Sequence, residues 1–103
     1  MIGDKTTITG DSNNVKGDVN KVDGHENLVA GNGNLAEGNR NGIGGNNNTV
    51  KGSENTVIGD QNTLLNANAN QVKGSSNMIK NGNQNIIQGN NNSVTGDANQ
   101  LLT

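Results

Sequence analysis

"GNNNTVKGSENTVIGDQNTLL", residues 45 to 65, is one seven-residue phrase written three times: glycine, two polar residues, asparagine, a polar residue, an aliphatic and one variable position. The same phase extends in both directions. With glycine as position one, units begin at Gly3, Gly10, Gly17, Gly24, Gly31, Gly38, Gly45, Gly52, Gly59, Ala67, Gly74, Gly82, Gly89 and Gly96, fourteen units that make residues 1–103 a single repeat domain. Self-similarity at a fixed period points to a solenoid, in which each unit buries its apolar face only by stacking on its neighbours.

A heptad also suggests a coiled coil, but that needs two apolar positions per seven and strong helix formers. Here one position is apolar and another is glycine. In a strand, side chains alternate, so positions four and six share one face while five and seven share the other. The sixth position is never polar, and the core is expected at Val15, Val22, Val29, Val50, Val57, Leu64, Val72, Ile79, Ile87 and Val94, mostly branched residues that suit a pleated strand. The fourth position departs from asparagine only at Thr6. Asn13, Asn20, Asn27, Asn48, Asn55, Asn62, Asn77 and Asn92 are therefore expected to form a ladder, stacked about 4.8 Å apart. Glycine at position one suits a corner with positive φ.

Two residues fall outside the phase. Asn66 and Asn81 are each inserted before an even-numbered unit, the tenth and the twelfth. In a two-sided coil they lie in one corner column on successive turns, where one bulge can stack on the next; in a three-sided coil they would disturb two different corners. The expected fold is an all-β, two-sided parallel β-solenoid, or β-roll, of 14 units in 7 coils, on the order of 34 Å long at about 4.8 Å per coil.

Composition is consistent with a thin, ordered chain. Hydrophobic content is 27% with no Phe, Tyr or Trp, so an ordinary globular core cannot be filled. Proline is absent and the formal charge is only −2, which argues against a disordered chain. No cysteine is present, so neither a disulfide nor a thiolate metal site is available. "MIGDKTTITG" has neither a basic head nor an apolar stretch, and no aliphatic run is long enough to span a membrane. The seven basic residues are scattered among nine acidic ones, and aromatic residues are lacking, so nucleic-acid binding has no electrostatic stripe and no stacking platform.

Chemistry finds no foothold. His25 is the only histidine and has no second ligand or catalytic partner, so it reads as corner surface. Asp4 and Asp18 stack at one corner, but the column continues as Asn32 and Asn46, too few carboxylates for calcium. Serines such as Ser12, Ser53, Ser75, Ser76 and Ser93 have no histidine at a fixed offset. "GNGN" is a corner and not a phosphate loop, since no helix or Lys-Ser/Thr pair follows. No catalytic residue, metal ligand or cofactor is expected, and the chain reads as non-enzymatic.

The outward positions are irregular. Leu28, Leu35, Ile58, Leu65, Met78, Ile86 and Leu102 form a candidate association surface, and Ala30, Gly42 and Gly44 make a low patch where another backbone could approach. Thr49, Thr56 and Thr63 suggest a threonine row of the kind an ice-binding face carries, but Thr56 belongs to the opposite sheet and the Thr49 column continues as Met78 and Ser93.

Phrases such as "GSENTVIGDQNTLL" resemble the glycine-spaced repeats of trimeric autotransporter adhesin heads. That resemblance implies a left-handed parallel β-roll with two strands per coil, an extracellular or cell-surface setting and an adhesive role. From the residues themselves, the expected function is structural. The repeat runs in register from two residues after Met1 to Thr103, so coil edges could pair head to tail, with the chain itself as partner in a fibre or array. A surface adhesin is the alternative, and ice binding is a third reading.

Overall fold

The computed structural model describes residues 5–102, so Gly3, Asp4 and Thr103 of the sequence reading lie outside the described residues. Among these residues the chain forms fourteen strands of three residues each. One sheet holds β1 (Thr7–Thr9), β3 (Lys21–Asp23), β5 (Leu35–Glu37), β7 (Thr49–Lys51), β9 (Thr63–Leu65), β11 (Met78–Lys80) and β13 (Ser93–Thr95) in that order. The other holds β2 (Asn14–Lys16), β4 (Leu28–Ala30), β6 (Gly42–Gly44), β8 (Thr56–Ile58), β10 (Gln71–Lys73), β12 (Ile86–Gln88) and β14 (Gln100–Leu102). Each chain turn contributes one strand to each sheet, so the seven coils make a flattened rod of 34 × 21 × 13 Å.

Every pairing is parallel and in register: Val15 lies beside Val29, Val29 beside Ile43, Ile43 beside Val57 and Val57 beside Val72. The middle residue of each strand points between the sheets, as alternation requires. All ten expected core residues are buried, none more than 4% exposed. Ala36 and Ile43 occupy the same sixth position and join them. Ala67, at a first position, also enters the core, which the repeat did not foretell.

The asparagines sit one residue before each strand, and those from Asn13 to Asn85 clamp the corner of the next coil. The Asn34 Nδ2 donates to the Gly45 carbonyl at 2.8 Å, while its Oδ1 accepts from the Asn48 N–H at 3.0 Å and from the Asn48 Nδ2 at 3.1 Å. Asn48 repeats this one coil on, donating to Gly59 at 2.8 Å and accepting from Asn62 at 3.0 Å. A primary amide carries a donor and an acceptor on one short stem, and both are used here. Thr6 has only its hydroxyl and makes only the first contact, to the Gly17 carbonyl at 3.1 Å. Of the expected ladder, Asn20, Asn27, Asn48, Asn55, Asn62 and Asn77 are fully buried, while Asn13 and Asn92 are half-buried near the ends.

Glycine at position one answers to two demands. At Gly45 the backbone has φ +125°, and a Cβ would fall 1.9 Å from the Gly59 carbonyl oxygen of the next coil. Where a residue is inserted, the strain moves. Asn66 (φ 53°) and Asn81 (φ 51°) take the left-handed conformation, the residue after each is released from it, and Ala67 can stand where every other unit has glycine.

Position three carries a second backbone constraint. It is left-handed in successive units and mostly not glycine: Ser12, Val19, Glu26, Arg40, Asn47, Glu54 and Gln61 all have φ between 57° and 61°. Val19 stands out, because a branched side chain is the least tolerant of that region.

Candidate functional site

Positions two and four of the corners are held by hydrogen bonds between successive coils. Position two carries an acceptor-type residue in every unit, whether Asp, Asn, Ser or His, and in most of the described units its side chain takes the N–H of the same position one coil back. The Asn32 N–H donates to the Asn46 Oδ1 at 3.0 Å, and the Asn46 N–H donates to the Asp60 Oδ1 at 2.9 Å. His25 belongs to this ladder and is not plain surface. Its Nδ1 accepts from the Asp11 N–H at 3.0 Å, which requires the neutral ring with its proton on Nε2. The Asp11 carboxylate lies 3.8 Å from the same nitrogen, beyond hydrogen-bond distance, and the nitrogen cannot accept and donate at once. The unbroken run of acceptor residues at position two is the sequence signal for this ladder, which the corner-surface expectation for His25 left unused.

Beside it, the Arg40 Nε donates to the Glu26 Oε1 at 3.2 Å and its Nη1 to the Glu54 Oε2 at 3.4 Å. The hydrogen bond that Arg40 donates to Glu26, and then the charge of both carboxylates, hold the guanidinium above its ordinary pKa. These groups are solvated and line an open polar hollow with His25, Asn39 and Ser53. Among the described residues no group of His, Cys, Asp or Glu could hold a metal ion, and no helix is long and apolar enough to cross a membrane.

That leaves the two outer sheet faces, and they differ in charge. The odd-numbered sheet turns Lys21, Asp23, Glu37, Lys51 and Lys80 outward among Thr7, Thr9, Thr49, Thr63, Ser93 and Thr95. The even-numbered sheet turns out fourteen residues without a carboxylate, and its only charges are Lys16 and Lys73. The candidate association residues divide between them. Leu28, Ile58 and Leu102 of the even sheet are 54%, 51% and 64% exposed, and Ile86 is half-covered. Met78 is exposed on the odd sheet, where Leu35 and Leu65 are half-covered. The low patch expected at Ala30, Gly42 and Gly44 is an open apolar depression of about 380 Å³, walled by Leu28, Thr56 and Ile58. Thr49 pairs with Thr63 on the odd sheet and Thr56 lies on the even one, so the three threonines form no row.

A family model described as grass antifreeze beta roll matches residues 1–64 and again residues 43–103. No curated protein matches the chain. Among solved structures, the N-terminal fragment of bacteriophage phi29 gene product 12 is similar at 18% identity and a TM-score of 0.42, over 97% of this chain and 18% of that one.

The family match corrects two expectations. The adhesin-head resemblance is overturned, because the glycine spacing of "GSENTVIGDQNTLL" reports the corner of a β-roll and not which roll it is. The self-assembling fibre or array, with the adhesin as its alternative, is overturned by the same match. Its physical basis was a repeat that stays in register and carries exposed aliphatics, features that do not distinguish one β-roll from another.

Proposed function

We propose that this chain, which belongs to the grass antifreeze β-roll family, is a non-enzymatic ice-binding protein that docks on ice through the outer face of its even-numbered sheet. The observation that carries the choice of face is its charge. A face adsorbs to ice when its hydration water can join the lattice over a continuous area. Ionic side chains hold their own hydration shells, and stripping them is costly. The even sheet offers Leu28, Thr56, Ile58, Gln71, Ile86 and Gln100 on strands in strict register, with Lys16 and Lys73 as its only charges, and the odd sheet interrupts its hydroxyls with both signs of charge. Rigidity supports the reading too, since both corner ladders fix the strand spacing.

Thermal hysteresis and ice recrystallisation assays on the purified chain test it. Wild type should be active. Thr56→Asp should lower activity about tenfold, the equivalent of ~1.4 kcal/mol, while Thr49→Asp on the odd sheet should leave it close to wild type. A folded wild-type chain without activity overturns ice binding. Loss in Thr49→Asp with Thr56→Asp unaffected overturns the face.

A further inference from the structure

The sequence contains Asn47-Asn48-Thr49 and Asn91-Asn92-Ser93, two matches to the Asn-X-Ser/Thr signature of asparagine-linked glycosylation. In a chain this rich in asparagine the signature alone decides little, because most of its asparagines are committed. Those at position four clamp the next corner, and many at position two accept a backbone N–H. Asn47 and Asn91 are different. Both stand at position three, both are exposed, and both are left-handed, with φ 57° and 60°. Their backbone N–H groups donate to Asn32 and Ser75 of the preceding coil, and their carboxamides make no hydrogen bond with a described residue. Both signatures therefore place the acceptor on an amide that the fold does not use, with the middle asparagine turned inward and the hydroxyl residue two places on facing out from β7 or β13.

We infer that Asn47 and Asn91 are glycan acceptor sites, modified by a membrane oligosaccharyltransferase from a lipid-pyrophosphate-linked oligosaccharide. The Asn Nδ2 forms a bond to the anomeric carbon, the bond from that carbon to the pyrophosphate oxygen breaks, its electron pair leaves with the lipid pyrophosphate, and the amide proton passes to the transferase base. The two sites share one corner column. Gln61 and Ser76 lie between them on successive coils, which sets them about 14 Å apart at about 4.8 Å per coil. Sugars there would line the edge where the chain enters the odd sheet and leave the outer face of the even sheet clear. The inference does not rest on ice binding.

The test is the full chain secreted from plant or yeast cells behind a cleavable leader, followed by intact mass and peptide N-glycosidase digestion. Wild type should carry two glycans. Asn47→Gln and Asn91→Gln should each carry one, and the double variant none. Thr49→Ala should abolish the first glycan with Asn47 intact, and Thr49→Ser should restore it. Circular dichroism should be unchanged in all, since none of these side chains is buried. A secreted, folded wild-type chain at the mass of the bare polypeptide overturns the inference, as does a glycan that survives the double variant.

Discussion

Asn66 and Asn81, the two residues outside the seven-residue phase, touch: the Asn66 Nδ2 donates to the Asn81 Oδ1 at 3.3 Å, one coil apart. The bulges they create are stacked, and Asn68 and Asn83 just beyond them form a further parallel bridge. An insertion in a solenoid is tolerated when the coil above carries the same one, since the ladder then stays in register. Deleting Asn66 alone should misalign that corner and return Ala67 to a glycine position. Deleting both, with Ala67→Gly, should recover much of the loss. Chemical denaturation of the three variants would show it; a double deletion no better than the sum of the singles would refute the coupling.

Glycines that look alike in the repeat should respond oppositely to alanine. Gly45→Ala places a Cβ 1.9 Å from a backbone oxygen with φ +125°, and should destabilise the roll by several times the ~1 kcal/mol usual for a left-handed residue. Gly42→Ala meets nothing within 4 Å and has no positive φ, so it should stabilise β6 by about 0.5–1 kcal/mol. Melting temperatures moving in the same direction would contradict this account.

The inward face can be separated from the outward one at adjacent residues. Val57 is fully buried and Thr56 is exposed. Val57→Asp puts an unpaired carboxylate into a core one side chain deep, at a cost of several kcal/mol, and should leave the chain largely unfolded at room temperature. Thr56→Asp should change stability by no more than about 0.5 kcal/mol. Circular dichroism of the pair decides the assignment of faces.

Removing one rung of the buried ladder should be expensive out of proportion to its size. Asn48→Ala leaves the Gly59 carbonyl and the Asn62 N–H without their partner, each an unsatisfied group costing about 1–3 kcal/mol, while the Asn34 Oδ1 keeps only the backbone N–H of residue 48. Asn47→Ala, next to it and exposed, should be close to neutral. Equal losses in urea titrations would mean that the amides do not carry the stacking.

Val19 offers a gain. It is 56% exposed and left-handed at φ 61°, and Val19→Asn should raise stability by about 1 kcal/mol, read as a higher melting temperature. No change would mean that the corner relaxes around the valine side chain.

The sequence by itself determined the roll. A period of seven combined with the two-residue alternation of a strand separates inward from outward positions, and the phase of Asn66 and Asn81 sets two units per coil. From these follow the core at Val15 to Val94, the asparagine ladder, and the division of Thr49 and Thr56 between opposite sheets. Family was not legible in the same way. The glycine spacing is imposed by the close approach of one corner to the next, a constraint any such roll obeys, and so it carried the fold without distinguishing an adhesin head from a grass antifreeze roll.

What only the tertiary structure decided is how each corner closes. That Asn34 holds both Gly45 and Asn48 of the next coil, that position two accepts an N–H from the coil before, and that position three is left-handed even at Val19 are relations between residues one coil apart. No single unit contains them. A side chain at a corner is read as solvated until the backbone of the adjacent coil supplies its partner, and the same neighbour decides that Gly45 has no room for a Cβ, while Gly42 has open space above it.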